Sequence, residues 1–205
     1  SPKGYENDIL TAKKMGFNML RKHIKIEPQV FYYLCDKLGM IVFQDMVNNG
    51  DYDFLRDTAL PTVGFKTRND RNLHRDPESR LAFLHAMETT VQCLKNHPCI
   101  CYWTIFKEGW GQFESSQAYR RLKELDSSRF VASVSGWFKG GDSDVNAEHV
   151  YFKPFRFKAG DKPVFLSEFG GYSYKPEGHV FNEKQTYGYR LFEDADAYMD
   201  AVETL

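Results

Sequence analysis

What this chain lacks narrows its identity first. No apolar run approaches the ~20 residues that a bilayer-spanning helix needs, and the opening Ser1-Pro2-Lys3-Gly4 is neither an initiator methionine nor a secretory leader. The expectation is a stretch of a longer protein whose compartment stays open, with the cytoplasm weakly favoured. Surplus charge is missing too, because 27 Lys plus Arg stand against 28 Asp plus Glu. No field gathers phosphate backbones or anionic lipid, so neither nucleic acid nor membrane is expected as a partner. The four cysteines, Cys35, Cys93, Cys99 and Cys101, lack the paired spacing of a zinc site or a disulfide framework and read as buried free thiols. Finally, no Gly-rich phosphate loop follows any strand-like run, which removes the dinucleotide-binding fingerprint.

What is present is an ordinary apolar share, 42%, with aromatics at 16%. That suits a single domain with a real core and leaves rings over for stacking on the apolar faces of sugars. Helix and strand signals alternate. A helix from about Glu6 leads into a strand at 17–21. A helix at 28–38, between Pro28 and Gly39, leads into the short apolar run 40–46. Asp76 and Pro77 open a helix with the stripe Leu84, Met87, Val91 and Leu94, and Asn96-His97-Pro98 closes it before a strand at 99–106. Ala118, Leu122 and Leu125 stripe a helix at 115–125, and strands are expected at 130–135, 150–152 and 163–169. The segment 47–75 shows no periodicity and reads as an elaborated loop, and Tyr198, Val202 and Leu205 stripe a last helix. Six strands interleaved with helices predict an α/β fold with a parallel sheet. An open doubly wound sheet and an eight-stranded barrel both fit the count, and the missing phosphate loop favours the barrel.

The chemistry-bearing residues fall just past the ends of these strands: Arg21 and His23, Asp45, Lys107 and Glu108, Trp137, His149 and Tyr151, and Glu168. In a parallel barrel such ends converge on one face, so residues distant in sequence share a pocket. Two carboxylic acids there suit glycoside hydrolysis, where one protonates the leaving oxygen and the other attacks or stabilises the sugar carbon. His23, His149 and Asp45 can bond sugar hydroxyls. Trp110, Trp137 and Tyr151 can stack on a sugar ring, whereas Trp103, in mid-strand, reads as a core residue. His97 reads as a turn residue. Glu148-His149 lacks a second pair at metal spacing, so no catalytic metal and no cofactor is expected.

Asn96-His97-Pro98 leading through a strand into Phe106-Lys107-Glu108-Gly109-Trp110, with Lys162-Pro163-Val164-Phe165-Leu166-Ser167-Glu168-Phe169-Gly170-Gly171 later, resembles glycoside hydrolase family two. Leu20-Arg21-Lys22-His23 and Phe43-Gln44-Asp45-Met46 extend the likeness over nearly the whole chain. The resemblance implies a (β/α)8 TIM barrel, here incomplete, with the six strands standing for its second through seventh. Residues 1–205 would then be a partial catalytic barrel, without the family's β-sandwich domains and without its first and eighth strands. It also implies a retaining β-glycosidase of the β-galactosidase and β-glucuronidase kind, acting on carbohydrate, with Glu108 as acid and base and Glu168 as nucleophile. Arg21 matches the arginine placed near that nucleophile. Lys107 departs from the pattern, since the family places Asn there to bond the sugar 2-hydroxyl. An ammonium can donate to that hydroxyl but cannot accept, and its charge favours the Glu108 carboxylate over the acid. The departure carries a second reading, a barrel that binds carbohydrate with impaired catalysis.

Overall fold

The computed structural model describes residues 1–47, 50, 53–65, 69–138, 141–151, 154–157 and 160–205. Helix alternates with strand as expected as far as residue 134, but among the described residues no helix separates the strands that follow, up to residue 192. α1 (Pro2–Lys14) precedes β1 (Met19–Lys22), and α2 (Gln29–Leu38) precedes β2 (Ile41–Asp45). α2 begins after Pro28 and stops at Gly39, whose φ of 68° is left-handed and which glycine adopts without strain. The segment expected as a loop contains a π-helical turn at Leu55–Ala59, a single turn α3 (Leu60–Thr62) and a 3-10 turn at Asp70–Asn72. Buried Asp57 accepts from Arg56 and from the Asp53 amide, and such polar contacts leave no apolar period in the sequence.

α4 (Pro77–Leu94) opens on Asp76, whose carboxylate accepts from the Ser79 amide at 3.0 Å, and leads to β3 (Ile100–Phe106). α5 (Ser115–Leu125) leads to β4 (Phe130–Val134), followed by β5 (Asn146–Val150) and β6 (Val164–Phe169). A short pair, β7 (Tyr172–Tyr174) and β8 (Arg190–Phe192), then precedes α6 (Ala195–Glu203). The strand expected at 150–152 is corrected: β5 starts at Asn146 and Val150 is its last residue, while Phe152 lies outside the described residues. Its Asn-Ala-Glu-His sequence carries no apolar run because only Ala147 and His149 of those four are buried.

All pairings are parallel, in the orders β1-β2-β3-β4, β5-β6 and β7-β8. The six expected strands therefore form two sheets rather than one continuous ladder. At the seam, the Asp144 amide donates to the Val131 carbonyl and the Val131 amide to the Asp144 carboxylate, both at 2.9 Å. That carboxylate also accepts from Tyr119 and Lys123, so a side chain takes the place of strand pairing there.

Two apolar layers flank the strands. Outside, Val42, Ile100, Trp103, Ile105 and Val131 pack under Phe31, Leu34, Met87, Val91 and Leu122 of the helices. Inside, Phe43, Tyr102 and Phe165 meet with ring centroids 4.8 to 4.9 Å apart, beside Ala132, Val145 and Ala147. Contact of β6 with both β2 and β3 requires the strands to curl into part of a barrel, whose interior is a packed core. Trp103 is fully buried, as expected. Of the cysteines, Cys35 and Cys99 are buried, whereas Cys93 is exposed, because it sits one residue off the buried stripe of α4 that ends at Leu94.

Buried Asp126 ties the outer layer to the chain reversal before β4. It accepts from Trp103 Nε1 at 2.9 Å, from Arg129 at 2.7 Å and from Ser128 Oγ at 2.6 Å. Burial alone would raise its pKa, but these donors outweigh it and hold the carboxyl at about 2. Asp126→Ala should lower the unfolding free energy by about 2–4 kcal/mol in urea titrations at neutral pH, since a half-buried guanidinium loses its charged partner and a buried indole N–H its acceptor. A depressed pKa stabilises the fold fully above the unfolded value of ~3.9 and progressively less as pH falls from there. The gap between variant and parent should therefore shrink toward about pH 2. A loss within the ~0.5 kcal/mol typical of surface substitutions would contradict this role.

Candidate active site

The carboxyl ends of β1 to β6 contribute to one cluster. β3 ends at Phe106 and runs into a tight turn at Lys107–Gly109, in which Glu108 has φ 50° and ψ 26°. A left-handed glutamate costs about 1–3 kcal/mol and persists only where surrounding contacts hold it. Here they do. The Glu108 carboxylate accepts at Oε2 from Lys107 Nζ (2.5 Å) and at Oε1 from His149 Nδ1 (2.8 Å), and its amide lies 3.4 Å from Ser135 Oγ. Gly136, with φ 76°, makes room: a Cβ there would sit 2.7 Å from His149 Nδ1 and 3.0 Å from Glu108 Cγ.

Glu168 enters from β6. A bulge between Glu148 and His149 slips the register so that His149 sits beside Glu168, and without it Ser167 would be the neighbour. Glu168 Oε1 accepts from Arg21 at 2.6 Å, and Oε2 accepts from the Tyr151 hydroxyl. His149 spans the pair, with Nε2 3.4 Å from Glu168 Oε1. One ligand atom from each of Glu108, His149 and Glu168 lies within 4.8 Å of the others. That trio has the composition of a metal-ligand set, yet both carboxylates already carry cationic partners, Lys107 and Arg21.

The electrostatics keep both acids ionised. Burial would raise Glu108, but the His149 bond and the Lys107 charge outweigh it and hold the carboxyl at about 2. Burial likewise opposes ionisation of Glu168, and the charges on His149, Lys107 and Arg21 with the Tyr151 bond bring it below the ordinary range. Burial and then the Glu168 bond push the Tyr151 phenol up, so it stays a donor.

The remaining expected residues divide between wall and support. Asp45 is fully buried, gripping Arg21 at 2.9 and 3.1 Å and accepting from the Ile24 amide. It stands behind the guanidinium rather than on an open wall. His23 is exposed at the rim, where partial loss of solvent and then the Lys107 charge lower its pKa. Half-buried Trp110 lies under the Lys107 ammonium, 5.1 Å from ring centre to Nζ, and Trp137 packs edge-on to His149 at 6.1 Å. His97, read as a turn residue, bonds Asp36 at 2.6 Å.

Sequence reasoning missed Ser135, Gly136 and Tyr189. Tyr189 stacks on Tyr151 at 4.0 Å and lies so close to Gly171 that a Cβ there would meet its ring at 2.4 Å. It follows no apolar period, so only the paired glycines Gly170-Gly171 hinted at a close approach.

The fold and the cluster together define a parallel-barrel segment with two carboxylic acids, a histidine between them and aromatic side chains gathered at the carboxyl ends of its strands. Residues 3–170 match the TIM barrel domain of the glycosyl hydrolases family 2, and the chain belongs to that family. A β-galactosidase from Klebsiella pneumoniae is 28% identical over 158 residues, which is 77% of this chain and 13% of the relative. One from Aeromonas hydrophila is 29% identical over 165 residues, 80% of this chain and 14% of the relative. The chain thus spans about one seventh of the length of these relatives. Among solved structures, a β-D-glucuronidase from Dictyoglomus thermophilum superposes over 100% of this chain and 37% of its own, with TM-score 0.67 at 15% identity. A β-galacturonidase from Eisenbergiella tayi, bound to galacturonate, covers 87% of this chain and 34% of its own, with TM-score 0.58 at 18% identity. At these identities the superpositions establish the shared fold.

Proposed function

We propose that residues 1–205 are the catalytic barrel segment of a retaining β-glycosidase, with Glu168 as nucleophile and Glu108 as acid and base. The observation that carries this reading is the 4.8 Å bound on carboxylate oxygens of Glu108 and Glu168 around His149. Retaining enzymes hold the two groups ~5–5.5 Å apart so that one attacks the sugar carbon directly, whereas inverting ones leave ~6.5–9.5 Å for a water. Glu168 attacks C1 while Arg21, itself braced by Asp45, and Tyr151 orient its oxygens. Glu108 then serves the leaving oxygen and afterwards the incoming water. The sugar ring lies between the carboxylates, against Trp137 and Tyr151, with His23, Arg21, Lys107, Trp110 and His149 bonding or flanking its substituents. The activities of the relatives, on galactosides, glucuronides and galacturonides, support a β-linked pyranoside as substrate. Their greater length supports further domains outside residues 1–205, which would complete the barrel and the sugar subsites.

The stereochemistry tests this directly. When the full-length protein cleaves a β-glycoside, NMR of the anomeric proton should show the β-sugar first, with the α-anomer appearing only by mutarotation. Mechanism-based fluorosugars should become covalently attached at Glu168. An α-sugar as first product, or a label on another residue, would sink the assignment.

A further inference from the structure

One oxygen of Glu108 faces a group that can only donate, and this limits what the carboxyl can do. A protonated carboxyl must turn one oxygen into a donor. Here Oε1 meets the His149 ring nitrogen at 2.8 Å and Oε2 meets the Lys107 ammonium at 2.5 Å, with the Lys107 and Glu108 side chains only 8% and 9% exposed. A proton on Oε2 would point at an ammonium that can only donate, and the ammonium charge opposes protonation at either oxygen. The Trp110 ring centre lies 5.1 Å from the same ammonium, and the ammonium charge also lowers the pKa of Glu168 and of His23. A neutral amide at this position would impose no such charge.

Resting on the glycosidase reading above, we infer that Lys107 makes this site selective for β-glycosides of acidic hydroxyls, phenols above all, over glycosides of sugars and alkyl alcohols. In the first step a Glu168 oxygen bonds to C1, the bond from C1 to the aglycone oxygen breaks, and its electron pair leaves on that oxygen. A phenol of pKa ~10 departs as phenolate. The Lys107 ammonium stabilises the developing charge, and the phenolate takes its proton from bulk water. An alkoxide, nearer the ~15.7 of water, cannot leave without an acid. In the second step the Glu108 carboxylate accepts a proton from water, the water oxygen bonds to C1, Glu168 departs as carboxylate, and Glu108 returns the proton to solvent. The half-buried rings of Trp110 and Trp137 supply flat walls suited to an aromatic aglycone.

The test uses the full-length protein with a series of aryl β-glycosides, from 2,4-dinitrophenyl to phenyl, and the methyl β-glycoside of the same sugar. The sugar is chosen by fluorosugar labelling. Across the series kcat/KM should fall steeply with leaving-group pKa, since general acid assistance worth ~10²–10⁴-fold is withheld. Lys107→Asn and Lys107→Met should flatten that dependence and raise the methyl to dinitrophenyl rate ratio at least ~10-fold, while Lys107→Arg keeps the steep line. A packing role for Lys107 would move all substrates together. A shallow dependence in the parent, or equal slopes in the parent and both neutral variants, overturns the inference while labelled Glu168 leaves the glycosidase reading standing. Neither turnover nor labelling with any sugar overturns both.

Discussion

Glu168→Ala should reduce turnover of every glycoside by on the order of 10⁴-fold or more, because no group remains to form the glycosyl-enzyme bond. The cause is local. Arg21 at 2.6 Å and Tyr151 hold this carboxylate ionised and aimed, and neither can attack carbon in its place. Azide added to the variant should enter the space left by the carboxylate and attack C1 of an activated β-glycoside from the same side. The product would then be the α-glycosyl azide, and its configuration read by NMR identifies which face the missing group occupied. Retained activity, or a β-glycosyl azide, would move the nucleophile elsewhere. Removing Arg21 should act through the same carboxylate, since the guanidinium charge lowers the Glu168 pKa and its loss would raise it.

Glu108→Ala is expected to separate the two chemical steps. With 2,4-dinitrophenyl glycosides the first step needs no acid, so an initial burst of dinitrophenolate should appear, close to one equivalent per active site. Steady turnover should then fall by ~10²–10⁴-fold, the usual contribution of general base assistance. The glycosyl-enzyme should accumulate at Glu168 and be seen by mass spectrometry of the intact protein. Azide here should give the β-glycosyl azide, the mirror of the outcome at Glu168. A variant whose steady rate equals that of the parent would remove Glu108 from the mechanism. The parent should keep the base form at all pH values above about 2, where burial is outweighed by His149 and Lys107.

The elements read from sequence were those with strong local signals. Pro28 and Gly39 bracket α2, Asp76 and Pro77 open α4, and the apolar run from Ile100 to Phe106 is β3. β5 was misplaced because its buried positions are Ala147, His149 and Val150, of which only the last is a branched apolar residue. Glu168, expected just past a strand, is the next-to-last residue within β6, whereas the place of Glu108 after β3 was legible. The route of Asp45 to a supporting position was not, because a carboxylate at a strand end looks alike whether it meets a ligand or a buried guanidinium.

Chain order and periodicity, which are local, determined that helices precede the strands up to β4 and that acids and aromatics sit at or just past strand ends. Which of those residues touch is a property of register and curvature, which no local pattern encodes. The bulge that sets His149 beside Glu168, the glycine at 136 that lets His149 approach Glu108, and the curl that brings Phe165 onto Phe43 are set by packing among strands far apart in sequence. Lys107 shows the division most simply. The sequence placed a cation next to Glu108, and only the folded turn decided that the ammonium closes onto that carboxylate at 2.5 Å, because a left-handed residue there folds adjacent side chains into the same buried pocket.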